Sequence, residues 1–474
     1  MRNKLIVSSV IGIVTFMVVI FAINFYNLLI NPKFNDNIPS SSNMVLPIPN
    51  LLEPFKTDGT ISEYKIIVQS GTTNFIGDKQ TPTLGYNGSF LGPVIKVTRG
   101  EEVRMHVTNE LQVETSVHWH GLEVEGTSDG GPHQVISAGS LWEPVFTINQ
   151  PASTLWFHPH VMGTTATQVY NGLAGLIIVE DDNSKSLNLP DDYGVNDIPL
   201  IIQDKSFNRD GSFRYDDNMM DGVVGDYILV NGAITPYLDV KQTKMRFRIV
   251  NGANASNFTL RLNDEDDFHQ IASDGGLLEK ALLSQSLFIS PGERAEIIVD
   301  FAKYEEGEVL RLTSDNDLVM TFRVGSEIVD NTVIPDVLAT IEKLDVDQVS
   351  AIKTIELDGM GHMVIINGRQ FDMHRIDDKV SLGATEIWEI TSLRSMMMRS
   401  PGHPFHIHGT QFQVLSRNGN EPRENEMGWK DTVFVRSGET VRIIVQFKFK
   451  GIFMYHCHIL EHEEAGMMGQ LEVE

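Results

Sequence analysis

The sequence contains one cysteine in 474 residues, and this cysteine lies between two histidines, in His456-Cys457-His458. A chain with a single cysteine cannot form an internal disulfide, so the thiol needs another explanation. A thiolate, two imidazoles and a distant thioether are the ligands of a blue-copper electron-transfer site. The sequence therefore predicts such a site, with three strong ligands and a weak axial one: His403, Cys457, His462 and Met467.

Four His-x-His pairs are the second chemical signal. With 15 histidines in the chain, chance gives roughly half a pair. Residues i and i+2 of a strand point to the same face, so each pair presents two imidazoles to one site. Eight imidazoles exceed the four ligands of a zinc site and suit a cluster of three metals, shared as three, three and two. The pairs are His118/His120, His158/His160, His406/His408 and His456/His458.

The odd offsets between these residues predict how the two sites are related. His403 lies three residues before His406, and Cys457 is one residue from each neighbouring histidine. In an extended chain, His403 and Cys457 therefore face away from the paired imidazoles. We expect a mononuclear site and a cluster back to back, joined by the peptide around Cys457. Single electrons that enter at the mononuclear site can then be stored until dioxygen accepts four.

Composition restricts the class of protein. The length suggests two to four domains, and 41% apolar residues are enough for packed cores. The formal charge of −26 and the pI near 4.9 argue against a nucleic-acid partner. We therefore expect a folded, acidic protein that binds no nucleic acid.

The N-terminus predicts a membrane segment. Leu5 to Ile30 is almost continuously apolar, follows Arg2 and Lys4, and lacks an Ala-x-Ala-like cleavage site. These features favour an uncleaved, single-pass signal anchor over residues 1–30, with the catalytic domains outside the cytoplasm. The alternative is a cleaved signal peptide and a secreted protein. Residues 31–55 contain five prolines and are predicted to form a stalk.

The remainder of the chain repeats one β unit. Apolar residues alternate with polar ones between turn residues, and one strand phrase recurs at 290–301, 436–447 and, more loosely, 140–149. An internal period of this size predicts an all-β protein of tandem β-sandwich domains, at 56–182, 195–328 and 340–474. The second copy carries no candidate ligand, so it is predicted to be a spacer.

Taken together, the histidine segments resemble the four copper motifs of multicopper oxidases. The loops 121–131, 172–175 and 428–432 resemble most closely the bacterial copper-efflux oxidases. Laccases and bilirubin oxidases are more distant relatives. The resemblance implies three cupredoxin-like Greek-key domains and four copper ions. The matching segments are His118-Trp-His-Gly121, Trp156-Phe-His-Pro-His160, His403-Pro-Phe-His-Ile-His-Gly409 and His456-Cys-His-Ile-Leu-Glu-His462 with Met467.

The resemblance also implies roles for individual residues. His118 and His406 match the ligands of the type 2 copper, and Asp129 and Glu463 match carboxylates that deliver protons. The type 1 copper matches the predicted site at Cys457. The remaining imidazoles match the ligands of the type 3 pair: His120, His158, His160, His408, His456 and His458.

Methionines predict the electron donor, because thioethers bind cuprous ion. The run Met396-Met397-Met398 ends five residues before His403 and is the first candidate. Further candidates are Met360, Met363, and Met219 and Met220 beside Asp216, Asp217 and Asp221. The long Met- and His-rich insert of the best-known copper-efflux oxidases is missing.

The implied reaction oxidises Cu(I) to Cu(II), reduces dioxygen to water with four electrons, and contributes to copper tolerance. The first alternative keeps the same copper core and oxidises a small aromatic reductant, as a laccase-like phenol oxidase or a bilirubin oxidase does. The second is a structural relative without copper, against which the complete set of twelve candidate ligands argues.

Overall fold

The computed structural model describes residues 44–216, 220–263, 265–328, 332–394 and 401–474. The predicted anchor and the run Met396–Met398 lie outside the described residues, so both stay predictions. Within the described ranges, no helix is long and apolar enough to cross a bilayer.

The described chain folds into three successive pairs of β-sheets, which confirms the prediction of an all-β protein. Alternation of apolar and polar residues is the cause, and β5 shows it: every second residue of Glu102–Asn109 is buried. In each pair, both sheets contain one pair of neighbouring parallel strands. The recurrence of this uncommon feature shows that the three sandwiches are copies of one unit.

The first sandwich packs a six-stranded sheet on a four-stranded sheet. Its core includes Tyr64, Val103, Trp119 and Phe157. Its strands are β1 (Lys56–Asp58), β2 (Ile61–Thr73), β3 (Thr81–Tyr86), β4 (Val94–Thr98), β5 (Glu102–Asn109), β6 (His118–His120), β7 (Leu141–Trp142), β8 (Val145–Thr147), β9 (Ser153–His158) and β10 (Gly175–Glu180). Two short helices, α1 (Thr165–Tyr170) and α2 (Asp182–Ser186), flank β10.

The second sandwich packs a seven-stranded sheet on a five-stranded sheet. Its core includes Phe247, Phe268, Phe301 and Phe322. Its strands are β11 (Asp197–Lys205), β12 (Tyr227–Val230), β13 (Ala233–Ile234), β14 (Tyr237–Gln242), β15 (Lys244–Asn251), β16 (Phe258–Leu262), β17 (Phe268–Ser273), β18 (Gly276–Ser284), β19 (Leu287–Ile289), β20 (Arg294–Asp300), β21 (Val309–Ser314) and β22 (Asp317–Glu327). A 3₁₀ turn, Phe301–Lys303, follows β20.

The third sandwich pairs two five-stranded sheets. Its core includes Trp388, Phe405, Phe453 and Cys457. Its strands are β23 (Ala351–Asp358), β24 (Ile365–Ile366), β25 (Asp378–Val380), β26 (Thr385–Ser392), β27 (Gly402–Ile407), β28 (Phe412–Arg417), β29 (Thr432–Arg436), β30 (Thr440–Gln446), β31 (Gly451–Cys457) and β32 (Met468–Val473). It also contains helix α3 (Leu460–Glu464) and the 3₁₀ turns Val346–Gln348 and Glu424–Glu426.

Part of the predicted stalk is packed against the protein. Leu46 is buried in the core of the second sandwich, and its N–H donates to the carbonyl of Tyr237. Asn231 and Tyr193 donate side-chain hydrogen bonds to the carbonyls of Pro47 and Pro49. The prediction of a stalk does not hold for this part of the segment. It was based on the prolines, but proline also suits a chain that lies extended along a sheet without continuing its hydrogen bonds.

Candidate metal centre

Cys457, at the end of β31, lies where its predicted partners converge. Its Sγ is 3.5 Å from Nδ1 of His403, on β27, and 3.8 Å from Nδ1 of His462, in α3. The N–H of Ile459 points at the same sulfur, at 3.4 Å. Met467 follows α3, is fully buried, and accepts a hydrogen bond from the Cys457 N–H through its carbonyl. The structure thus brings together all four residues of the predicted mononuclear site.

Burial sets the protonation of this group. Desolvation lowers the pKa of His403 to about 3 and that of His462 to about 4, so both imidazoles are neutral donors. Desolvation also raises the pKa of the Cys457 thiol well above its ordinary value. The thiol therefore ionises only when a cation compensates the charge, as binding of a metal does.

The eight paired histidines form one buried cluster between the first and third sandwiches. Strand pairing aligns them: His118 lies opposite His158 on β6 and β9, and His406 lies opposite His456 on β27 and β31. Because each pair has a spacing of two, both of its rings enter the same space. The prediction of a shared site is therefore consistent with the observed arrangement.

Within the cluster, six nitrogens form two groups of three. Nδ1 of His120 lies 3.4 Å from Nε2 of His158 and 3.3 Å from Nε2 of His458. In the other group, Nε2 of His456 lies 3.2 Å from Nε2 of His160 and 3.1 Å from Nε2 of His408. Each group has the size and donor type of a three-imidazole metal site.

The two remaining rings, His118 and His406, supply the third group. Their Nε2 atoms are buried and have no hydrogen-bond partner in the described part of the chain. Each ring stacks on a ring of the other sandwich: His118 on His408 and His120 on His406, both at 3.7 Å between centroids. Buried nitrogens without a partner are costly unless a ligand occupies the space that they face.

Burial and mutual repulsion keep most of the cluster uncharged. Desolvation, reinforced by neighbouring imidazoles, holds the pKa values of six rings well below the ordinary histidine value: His120, His158, His160, His408, His456 and His458. Neutral imidazole is the form that binds metal ions. These six rings are therefore in the form that binds cations.

Asp129 contacts two rings of the cluster. Its carbonyl oxygen accepts a hydrogen bond from Nδ1 of His118 at 3.0 Å, and its Oδ2 accepts from Nδ1 of His408 at 2.8 Å. Its Oδ1 is buried without a hydrogen-bond partner among the described residues. Asp129 thus fixes the ring orientations of two predicted ligands and keeps one oxygen for another contact.

Glu463 approaches two other rings of the cluster. Its oxygens approach Nδ1 of His160 at 3.4 Å and Nδ1 of His456 at 3.3 Å. Burial raises the pKa of Glu463 well above its ordinary value, and the neighbouring Glu464 and Glu461 reinforce the effect. A carboxyl group that holds its proton more firmly beside the predicted ligands suits the role of a proton donor.

Asp431 is a site residue that was not among the predicted ones. Its Oδ1 lies 3.1 Å from Nε2 of His120, and its carbonyl accepts from Nδ1 of His406 at 2.9 Å. Burial by itself would raise the pKa of Asp431, but Arg294 and His120 outweigh it and hold the pKa well below its usual range. The one available signal was its position in the loop 428–432, which resembles the copper-efflux oxidases.

Met220 of the second sandwich and Gly361 of the third lie together at His462. The Nε2 of His462 donates to the carbonyl of Met220 at 3.2 Å, and the N–H of Gly361 donates to the same carbonyl at 2.8 Å. A methyl carbon on Gly361 would lie 3.6 Å from the sulfur of Met220. Met360 and Met363 flank Gly361; the first is buried and the second is exposed. Met220, Met360 and Met363 form what we call the entry face.

Comparisons with known proteins agree with this geometry. Models of multicopper oxidase domains match residues 67–184, 176–308 and 343–474. The multicopper oxidase mco of Staphylococcus aureus is 41% identical over 428 residues, which cover 90% of this chain and 92% of that protein. A crystal structure of a laccase from Pediococcus acidilactici has a TM-score of 0.88 and 41% identity, and covers 92% of this chain and 94% of that chain.

The similarity extends to proteins with a different name. The cell division protein FtsP of Escherichia coli is 34% identical over 447 residues, which cover 90% of this chain and 92% of that protein. The matches to domain models together span most of the described chain and contain every predicted ligand. The chain belongs to the multicopper oxidase family and is an oxidoreductase with dioxygen as its acceptor.

Proposed function

We propose that this oxidase holds four copper ions in the two sites described above. The donors fit copper: one thiol with two imidazoles at Cys457, and buried imidazole nitrogens that face one another in the cluster. His403, Cys457, His462 and Met467 would hold the type 1 ion, and His118 and His406 the type 2 ion. The other six clustered histidines would hold the type 3 pair. Together these ions supply one-electron uptake and four-electron reduction of dioxygen.

Protein groups divide the remaining tasks. Cys457 is bonded through the chain to His456 and His458, which face the cluster, so the backbone itself links the two sites. Glu463 would donate protons beside the type 3 ligands His160 and His456, and Asp129 orients His118 and His408. The buried surroundings exclude bulk water from the reacting centre.

Cuprous ion is the proposed electron donor, and the entry face is the observation that carries this proposal. The Met220 thioether lies beside Gly361 of the third sandwich, in the segment that carries Met360 and Met363, and the Met220 carbonyl is hydrogen-bonded to His462 of the mononuclear site. Soft sulfur ligands suit Cu(I). An electron from such an ion has a short hydrogen-bonded path into the protein. Four cuprous ions reduce one dioxygen with four protons, giving four cupric ions and two waters.

The second sandwich holds the entry face in place. Glu461, next to His462, accepts hydrogen bonds from the Tyr215 hydroxyl, the Asn254 amide and the Val223 N–H. These bonds tie the chain on both sides of Met220 to helix α3. The donor site is thus built from two sandwiches, and its shape depends on their contact.

Oxygen consumption by the copper-loaded protein tests the substrate. Met220→Leu and Met363→Leu keep apolar volume but remove sulfur. We expect KM for cuprous ion to rise about tenfold, the factor for roughly 1.4 kcal/mol of lost binding, and the rate with 2,6-dimethoxyphenol to stay unchanged. Met427→Leu is the matched control, because Met427 is about as exposed as Met220 but lies at the 3₁₀ turn Glu424–Glu426 of the third sandwich.

Two outcomes would contradict the cuprous proposal. Equal losses on both donors would mean that the methionines only support the mononuclear site. Unchanged cuprous kinetics in both variants, and also in the triple leucine variant of Met396–Met398, would leave the laccase-like alternative as the better account. Loss of cuprous activity in the triple variant alone would place the donor site at that run instead.

We also propose that the enzyme works outside the cytoplasm, held by the apolar segment Leu5–Ile30. A stretch of this length can span a bilayer, and the basic residues before it favour this orientation. The test is fractionation of the full-length protein with membranes, followed by sequencing of its N-terminus. A mature N-terminus after Ile30 would show secretion after cleavage instead. Oxidation of cuprous ion at that location would contribute to copper tolerance.

A further inference from the structure

Two aspartates occupy equivalent places on opposite sides of the histidine cluster. Asp129, in the first sandwich, accepts from His118 through its carbonyl and from His408 through its carboxylate. Asp431, in the third, accepts from His406 through its carbonyl and from His120 through its carboxylate. The two rings that each aspartate holds belong to different sandwiches. The internal repeat of the chain has therefore produced a matched pair of ligand supports.

The two aspartates differ in their ion-pair and hydrogen-bond partners outside the histidine cluster. No ion pair with Lys or Arg involves Asp129 among the described residues. Asp431 instead receives both ends of the Arg294 guanidinium, with Nη1 2.6 Å from Oδ1 and Nη2 2.5 Å from Oδ2. Gln411 adds a third hydrogen bond at 2.8 Å to Oδ2. The Thr432 hydroxyl donates a fourth, at 2.9 Å to Oδ1, so Asp431 is fixed in one orientation.

Arg294 comes from the sandwich that carries no predicted ligand. It begins β20 of the second sandwich and is fully buried. Besides Asp431, it donates to the carbonyls of Thr154, Gly292 and Asp274, at 3.0 to 3.1 Å. All five of its N–H groups are therefore used. Thr154 belongs to the first sandwich and Asp431 to the third, so one guanidinium joins all three.

The turn just before β20 also contacts a predicted ligand. Gly292, just before β20, has a φ of +83°, and a side-chain carbon there would lie 2.7 Å from the ring of His458. Nearby, Lys430 of the third sandwich pairs with Asp274 of the second at 2.7 Å. The second sandwich therefore lies directly behind the cluster.

We propose that Asp431 and Arg294 are positioning residues for the oxygen-reducing cluster, and that the second sandwich thereby helps to set its geometry instead of acting as a spacer. Asp431 holds His120 so that Nδ1 faces His158 and His458, and holds His406 so that Nε2 faces inward. Arg294 prevents the carboxylate from turning away and neutralises its charge. The inference rests on the proposed copper content of the cluster.

Copper titration of the purified full-length protein tests the inference, using Asp431→Asn and Arg294→Met. Loss of a residue that orients metal ligands costs about 10- to 100-fold in metal affinity. We expect this loss of affinity for the copper ions of the cluster, together with an altered electron paramagnetic resonance spectrum of the type 2 copper. The blue absorption of the Cys457 site should be unchanged. Because both residues act through one contact, the double variant should be no worse than the poorer single variant.

Arg417→Met is the matched control. Arg417 is a buried arginine that pairs with Glu426 of its own sandwich, at 2.8 Å from Nε to Oε2, and contacts no predicted ligand. It should lower thermal stability while cluster affinity and spectra stay unchanged. Arg294→Lys keeps the positive charge but cannot make the two-point contact with Asp431. Its copper affinity at the cluster should therefore lie between those of the wild type and Arg294→Met.

Two results would overturn the inference. One is wild-type copper affinity and type 2 spectra in both Asp431→Asn and Arg294→Met. The other is a loss of blue absorption, cluster affinity and stability together, with Arg417→Met behaving the same way, which would indicate general destabilisation. Failure of the copper proposal is distinguishable, because the wild-type protein itself would then not bind four copper ions.

Discussion

Lys205 is buried in a way that should leave a measurable pH signature in stability. The side chain, at the end of β11, is fully buried, and its Nζ has no hydrogen-bond partner among the described residues. The ammonium lies 4.2 Å from the centre of the Tyr170 ring. Desolvation lowers the pKa of Lys205 to about 7, against the partial opposition of Asp204 and Glu461.

The sign of the effect follows from proton binding. An unfolded lysine keeps its proton up to a pH of about 10.4, whereas folded Lys205 releases it near 7. Between these values the unfolded chain binds more protons, so the free energy of unfolding rises with pH. At about 1.4 kcal/mol per pH unit, the buried charge costs on the order of 5 kcal/mol of stability below pH 7.

Lys205→Met should remove this dependence, because methionine has a similar length and no charge. We expect the variant to be more stable than the wild type at pH 6, with the difference shrinking steadily towards pH 10. Chemical unfolding of the copper-free protein, followed by tryptophan fluorescence, measures both. The control is Lys65→Met, an exposed lysine of β2, which should show no pH-dependent difference. A constant difference across this range, or a less stable Lys205→Met at pH 6, would refute the reasoning.

Four further outcomes are expected. Cys457→Ser should abolish the blue absorption and all turnover while the fold survives, and Met467→Leu should keep the colour and raise the reduction potential, measured by redox titration. Glu463→Gln, which removes a buried acidic proton, should lower kcat for dioxygen reduction by at least about 100-fold with an unchanged blue site. Removal of residues 1–50 takes Leu46 out of a core and should cost about 2–5 kcal/mol in chemical unfolding, measured against the chain that begins at residue 44.

The predicted ligands could be grouped from sequence because strand periodicity is strict. A spacing of two puts His406 and His408 in one site, and odd spacings put His403 and Cys457 in another; the structure shows both groupings. Alternation of apolar residues likewise predicted strands such as β5. These inferences depend only on local geometry, which the sequence determines directly.

The support for those ligands was harder to predict, because it comes from distant positions. Arg294 and Asp431 are separated by 137 residues, and no local pattern relates them. The repeat contains one hint: Arg294 in the second copy corresponds to Thr440 in the third, so the copies differ at that position. The packing of Leu46 was missed because of a local pattern. The proline-rich composition of its segment predicted a stalk, although Leu46 makes a specific contact.

The order of the ligands along the chain has a consequence for biosynthesis. The predicted ligands extend from His118 to Met467, and the sandwich between the two groups carries none. A ribosome that has made the first two sandwiches has therefore produced only four of the eight clustered imidazoles and no part of the Cys457 site. The proposed copper sites are therefore incomplete until the final strands have folded onto the first sandwich. A truncated chain consequently yields half a cluster, which would leave any bound ion open to solvent.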